Sequence, residues 1–520
     1  MVERQGTLAI IDISSNEIRM YIAEKVGDSI NFIETLKYPL NLAKDTFGMG
    51  MISFDKVNKL CEILSGFIQV AGEYGVGVIK TVATTAVREA SNRDYIVDQI
   101  SIKTGLTIKI MDESDEKLYI FKMLDHIFKN ELMGKSTLMA HIGAGSVGLA
   151  LNEGENTALM QSIKVGALRI SELFENVHNS SLEFYLMIEE YLRTYTNELK
   201  TLLGEKTDGI IISGNEAMLI ASLCKAEQRG MFYTINRQDF FDFYEEIKFK
   251  SIGMISSQYN IAGAKSETLL PAMCLCSILL EFTASNEIIT PSISLGQVLA
   301  FEYFESVEFR IINKRFNKNI LESAKKIALK YHIPEGHYLA VMSYGNKIFD
   351  QMKKIYGMSR RDKLLLQLAA ILHDCGKFVN TQNHHIHSCA LIKGSEISGL
   401  TKEEIDVVAS IALYHSQTVP GVADDNFRDF KASKKVLISK LAAILRIADA
   451  LDRSRKQKIS SIDVKLSGDR LIIKADAGDD NIDLEKWAFR EKGVFFEEVF
   501  GIEPVLKANL TPNRTEKSSE

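Results

Sequence analysis

LAIIDISSNEIRMYIAE, residues 8–24, reads as an apolar strand, a turn of small polar residues and a second apolar strand. Ser14, Ser15 and Asn16 suit a chain reversal, because their short side chains bond to nearby backbone groups. A more polar strand, INFIETLKY, follows Gly27-Asp28, so residues 7–38 predict a β-meander. The pattern returns about 130 residues later in TLMAHIGAGSVGLALNE, residues 137–153. GIIISGNEAMLIA, residues 209–221, is an apolar strand ending in a third small-residue turn. Together these predict a duplicated α/β domain whose turns face one cleft. A helix is expected over residues 53–74, with Ser53 as its N-cap, and VIKTVATTAV with the helix after Asn92 completes a βα unit.

From about residue 304 the periodicity becomes helical, as in RDKLLLQLAAILHDCGKF and VLISKLAAILRIADALDRS. Seven of the ten histidines fall between residues 332 and 415, the sharpest compositional signal in the chain. Short strands return in SSIDVKLSG and RLIIKADAG, a helix follows around Trp487, and the polar tail TPNRTEKSSE is expected to fray. The expected division is two α/β lobes at 1–125 and 126–303, a helical domain at 304–458 and a small α/β domain at 459–520.

Composition excludes several classes. With 520 residues, 46% hydrophobic and 25% charged, the chain is long enough for several buried cores and too apolar for disorder. No uncharged apolar run reaches the ~18 residues of a membrane span, and no basic-plus-apolar leader opens the chain. The net charge of −6 speaks against a protein built for specific nucleic-acid binding. Six cysteines without a CxxC pair point to reduced thiols and a cytoplasmic setting. A homodimer stays open.

Small-residue turns aim backbone N–H groups at anions. Asp12, Ser15 and Asn16 on the first turn and Gly143, Gly145 and Ser146 on the second would form a phosphate clamp. Thr84, Thr85 and Arg88 would add hydroxyls and a guanidinium fork. Plain hairpin turns with a surface arginine are the competing reading.

IIDISSNEIRMYIAE, TVATTAVREASNRD, MDESDEKLYI, HIGAGSVGLAL, VGALRISELF and LRIADALDRSR resemble, in this order, the exopolyphosphatase / guanosine-pentaphosphate phosphatase family. The resemblance runs from Leu8 to about Phe500. It implies duplicated ribonuclease-H-like lobes of the actin and sugar-kinase type, a helical HD-type domain and a small C-terminal α/β domain. It also implies release of terminal phosphate from polyphosphate or guanosine pentaphosphate, usually with Mg²⁺ or a similar divalent ion. Asp115 falls on the family's catalytic glutamate, with Glu116 beside it. Two acids that normally help to hold Mg²⁺ are replaced by His141 and Gly148, and Glu216 stands in the third turn.

The histidines form a second constellation. His337, the pair His373-Asp374 and Asp449 resemble the HD phosphohydrolase pattern, and His415 with one of His384, His385 or His387 would extend it to two metals. Imidazole with carboxylate suits Mn²⁺, Fe²⁺, Zn²⁺ or Ni²⁺, and Lys377, Arg446 and Arg453 would neutralise phosphate oxygens. The leading expectation is a phosphohydrolase acting in the N-terminal cleft, with Asp115 or Glu116 as base, on polyphosphate or a guanosine phosphate. The alternatives are an HD phosphohydrolase acting on a nucleotide, with the N-terminal half as sensor, and a non-catalytic polyphosphate- or alarmone-binding regulator.

Overall fold

Strands β1 (Thr7–Ile13), β2 (Glu17–Val26) and β3 (Ser29–Pro39) form the meander, pairing antiparallel in sequence order. This is a computed structural model, and it describes residues 6–509 except 28, 129–133, 154, 155, 178–180, 205, 305, 306, 396, 398, 417, 422 and 423. Asp28 and the tail TPNRTEKSSE lie outside the described residues. The chain divides into two units, Met1–Asn319 and Ile320–Glu520.

In the first unit β1 is buried along its whole length, as its unbroken apolar run requires. Its other edge pairs in parallel with β4 (Val78–Ala83), which pairs in parallel with β5 (Ile108–Ile110), giving the order β3-β2-β1-β4-β5. The second sheet repeats this plan. β6 (Ser136–Ile142), β7 (Val147–Glu153) and β8 (Asn156–Ile163) make the meander, and β9 (Gly209–Ser213) lies parallel to β6. β10 (Glu227–Arg229) and β11 (Phe232–Asn236) then add an antiparallel edge to β12 (Glu287–Pro291), which pairs with β9. The shared order β8-β7-β6-β9-β12 makes the unit a duplicated mixed α/β arrangement of the actin-like type. The carboxyl ends of β1, β4, β6 and β9 each lead into a small-residue turn, where open parallel sheets place their ligands.

The helix predicted over 53–74 spans Phe54–Glu73 and buries Val57, Leu60, Cys61, Leu64, Phe67 and Ala71 at helical spacing. Ser53 stands at its N-cap without a side-chain cap bond, and its N–H donates instead to Asp45 Oδ2 at 3.0 Å. Helix Gly263–Leu280 is long and apolar enough to cross a membrane by length and composition, but 72% of it is buried in the unit's core.

The second unit is mainly helical. Capping boxes from Ser359 and Thr401 start Arg360–Leu372 and Lys402–Leu413, and left-handed Gly357 (φ 64°) ends Glu335–Tyr356. Ala432–Ala450 packs against all three. β13 (Ser461–Ser467) and β14 (Arg470–Asp476) pair antiparallel as expected, and a third strand, β15 (Glu503–Asn509), runs parallel to β14. Helix Asp483–Phe500 covers this sheet and shares one core with the preceding helices.

Candidate functional site

The first unit holds a cleft of about 90 Å³ where the strand ends meet. Asp12 at the carboxyl end of β1, Ser15 and Asn16 beyond it, Thr84 and Thr85 beyond β4, Gly143 beyond β6 and Glu216 beyond β9 all line it. Asp12 is buried. Desolvation pushes its carboxyl up to about 6, against the opposing pull of a 2.9 Å bond from Ser14 and the charge of Arg19.

Glu116, not Asp115, stands on the cleft wall. Arg88 is turned inward: its guanidinium donates to the Met111 carbonyl at 2.8 Å and to Thr85 Oγ1 at 2.9 Å, and pairs with Glu116 at 3.4 Å. It thereby fixes the turn after β4 instead of presenting a fork to the cleft. Gly145 lies behind the lining, where a Cβ would sit 2.6 Å from Thr85 Cγ2, so glycine lets the two turns approach. Ser146 is buried and bonds the Glu113 carboxylate, which Ser162 also binds.

Lys117 fills the space beside Gly148. Its buried stem crosses Gly148, where a Cβ would lie 2.7 Å from Lys117 Cδ. Its ammonium is 3.1 Å from the position of a Cβ on Gly143. Burial lowers the Lys117 pKa, and the charges of Glu116, Glu113 and Glu216 oppose that shift. The His141 imidazole is 3.0 Å from Ser213 Oγ, and burial holds it well below its usual range, with the Lys117 charge adding to the effect. Asp12, Glu116 and Glu216 thus offer oxygens to a divalent ion in this cleft beside the His141 imidazole, and the Lys117 ammonium behind the Gly143 turn opposes its charge.

The second unit brings the other constellation together at five helix ends. His337 comes from the first turn of Glu335–Tyr356, and His373-Asp374 from the end of Arg360–Leu372. His384 opens His384–Lys393, His415 follows Lys402–Leu413, and Asp449 ends Ala432–Ala450. His337, His373, Asp374, His415 and Asp449 are all buried. Of the three candidates at 384–387, His384 joins the cluster.

Each ring turns Nδ1 outward to an oxygen: His337 to Asp452 (2.8 Å), His373 to the Ala370 carbonyl (2.9 Å), His384 to the Thr381 carbonyl (3.2 Å) and His415 to the Ala412 carbonyl (2.5 Å). These partners assign the ring proton to Nδ1 in the neutral imidazoles, leaving an Nε2 lone pair facing inward. Nε2 of His337 lies 3.3 Å from that of His373, and Nε2 of His384 lies 3.2 Å from that of His415. Two lone pairs at such distances repel unless a proton or cation intervenes. Nitrogen ligands at about 2.0–2.1 Å from one ion stand roughly 2.9–3.4 Å apart, which these separations match.

The carboxylates complete the set. Asp449 Oδ1 is 3.3 Å from His337 Nε2 and 3.6 Å from His373 Nε2. Asp374 Oδ2 is 3.6 and 3.7 Å from the same two nitrogens, and its Oδ1 faces His384 at 3.5 Å. That Oδ1 is buried without a hydrogen-bond partner among the described residues. The donors form two overlapping ligand groups, His337–His373–Asp449 and His373–Asp374–His415.

Burial pushes His415 well below its usual range and lowers His384, so both are neutral donors at pH 7. Burial also opposes charge on His337, but its bonds to Asp449 and Asp452 prevail and hold it up to about 9, so a proton occupies that ring when no metal does. Asp374 and Asp449 stay ionised despite burial: His373 and Arg455 hold the first down, Lys492 and His337 the second. This donor set fits a transition metal.

A cavity of about 370 Å³ opens beside Asp374, His384, His415 and Asp449. Lys377, Arg453, Arg455 and Lys492 line it, with Trp487. Lys377 (3.0 Å) and Arg455 pair with Asp374, and Lys492 pairs with Asp449 at 2.5 Å. Arg446 does not line this cavity; it donates to the carbonyls of Tyr414 (2.9 Å) and Thr418 (3.0 Å), bracing the segment that carries His415. Sequence reasoning missed Asp452, Lys492 and Trp487. Only Asp452 had a local signal, its i, i+3 spacing from Asp449.

Comparison with known proteins gives one consistent result. The Ppx/GppA phosphatase family profile matches residues 21–281, and Ppx/GppA phosphatase domain III matches residues 321–486. The guanosine-5'-triphosphate,3'-diphosphate pyrophosphatase of Pseudoalteromonas translucida is 22% identical over 466 residues, 88% of this chain and 89% of that protein. Its Vibrio campbellii counterpart is 21% identical over 483 residues, 90% and 92% of the two chains. The crystal structure of an exopolyphosphatase from Cytophaga hutchinsonii covers 58% of this chain and 99% of its own, at 18% identity and a TM-score of 0.52, a likeness of fold.

Proposed function

Because this chain belongs to the Ppx/GppA phosphatase family, we propose that it is a phosphohydrolase releasing phosphate from guanosine polyphosphates or inorganic polyphosphate, with its chemistry at an HD-type metal centre in the second unit. The convergence of four imidazole Nε2 atoms and two ionised carboxylates, each ring braced through Nδ1, carries this reading. His337, His373, Asp374, His384, His415 and Asp449 would hold Mn²⁺, Fe²⁺ or Zn²⁺. When bound, such an ion supplies an acidic water for attack on phosphorus. Lys377, Arg453, Arg455 and Lys492 bind and neutralise the phosphoryl oxygens. Lys377 and Arg455 also keep Asp374 deprotonated.

In this reading the N-terminal cleft binds terminal phosphates through Ser15, Asn16, Thr84, Thr85 and the turn at Gly143-Ala144, with the Lys117 ammonium close behind that turn. The six unpaired cysteines, five of them buried, accord with a reducing cytoplasm. A second reading keeps hydrolysis in the cleft with Glu116, or Asp115 beside it, as base; the place of Glu116 on the cleft wall favours it. Phosphate release from guanosine pentaphosphate and polyphosphate, measured after chelation and again with added Mn²⁺, tests the proposal. Chelation should abolish release, Mn²⁺ should restore it, and Glu116→Gln should keep most of it. Release that survives chelation and disappears in Glu116→Gln would place the chemistry in the cleft.

A further inference from the structure

We propose that the cavity beside the histidine–aspartate cluster binds a nucleoside phosphate, with the base stacked on Trp487 and the phosphates directed toward the cluster. This rests on the reading of the cluster as a phosphohydrolase centre and adds to it the residue, Trp487, that selects a guanosine phosphate over a bare chain of phosphates. Trp487 is the single tryptophan of the chain, and 53% of it is exposed, although it stands on a helix whose Phe489 and Phe496 are buried. On helix Asp483–Phe500, Trp487, Ala488, Glu491 and Lys492 occupy one face, and all four line the cavity. The indole is thus a wall of a polar, basic cavity and not part of the core.

A chain of phosphates alone gives no reason for this ring. Cations suffice for it, and Lys377, Arg453, Arg455 and Lys492 already supply them. A nucleoside phosphate needs both features: phosphate donors and an apolar face for the base, and base stacking on aromatic side chains serves every base. Glu491, one turn from Trp487, offers a carboxylate to N–H groups on a base edge. The cavity volume of about 370 Å³ lies in the range of small-molecule sites.

The single tryptophan makes the test direct. The full chain is loaded with Zn²⁺, which does not quench indole emission, and titrated with guanosine 5'-(β,γ-imido)triphosphate or with tripolyphosphate. The nucleotide should quench the tryptophan emission saturably, while tripolyphosphate should compete for the site and leave the emission nearly unchanged. By calorimetry, Trp487→Leu should weaken the nucleotide about tenfold and tripolyphosphate by less than about twofold, with Trp487→Phe recovering most of the loss. Emission unmoved by saturating nucleotide, or equal losses for both ligands in Trp487→Leu, would overturn the proposal. Metal content and phosphate release separate this outcome from failure of the wider reading. If both depend on the cluster while Trp487 is silent, only the nucleoside site fails. If Trp487 responds while release ignores the cluster, only the wider reading fails.

Discussion

Asp374→Ala is expected to lower metal-dependent phosphate release by at least about a thousandfold, roughly 4 kcal/mol of barrier. Asp374 reaches both halves of the cluster, with Oδ2 facing His337 and His373 and Oδ1 facing His384. Its removal takes away a ligand and a negative charge together. It also leaves Lys377 and Arg455, which now pair with it, as uncompensated cations beside the imidazoles. Both effects work against a divalent ion. Steady-state release with saturating Mn²⁺ measures the loss, and thermal melting in chelator shows whether the apo fold survives. Activity within tenfold of wild type in a folded variant would mean that Asp374 does not serve the reaction.

Gly376→Ala should be nearly as damaging from outside the ligand set. A Cβ at residue 376 would lie 2.0 Å from the His384 carbonyl oxygen, 2.4 Å from the Ser388 nitrogen and 2.8 Å from His387 Cβ. Two of these atoms are backbone at the start of helix His384–Lys393, so that helix must move and carry His384 with it. The 2.8 Å bond from the Gly376 N–H to Ser388 Oγ would be lost as well. Overpacking of this kind costs about 1–3 kcal/mol, or a fall in melting temperature of about 3–10 °C for a unit of this size. Metal affinity should fall with it, because His384 leaves its position. Gly394→Ala is the matched control, since its Cβ would make only ordinary contacts, at 3.5 and 3.9 Å, with the Ala390 and Leu391 carbonyl oxygens. Equal melting temperatures for the two variants, measured by calorimetry with and without metal, would contradict the packing argument.

The two strand–turn–strand stretches were legible because apolar alternation and small-residue turns are local signals. They placed β1–β2 and β6–β7 correctly. β15 was hidden by Pro504, which interrupts a short apolar run; the proline is tolerated because β15 is an edge strand. The histidine set was also legible, since His-Asp at a helix end with later His and Asp residues has few other uses. Its supports were not: Lys492 comes from a helix 43 residues beyond Asp449, and no local pattern announces such a pairing. In the cleft, Glu113, Asp115 and Glu116 all fall in the first turn of one helix. Spacing cannot say which carboxylate faces inward, because helical phase is set by packing. Arg88 reads as a free guanidinium in sequence, and only the Met111 carbonyl and Thr85 hydroxyl reveal that its hydrogen-bonding capacity is used internally.

Elemental analysis of the purified full chain tests the central claim most directly, alongside Asp374→Ala prepared in the same way. Nδ1-braced imidazoles with ionised Asp374 and Asp449 predict that wild type retains one to two equivalents of Mn, Fe or Zn, as the two overlapping ligand groups allow, and that the variant retains almost none. Wild type free of transition metal after supplementation with these ions, or equal metal content in both proteins, would contradict it.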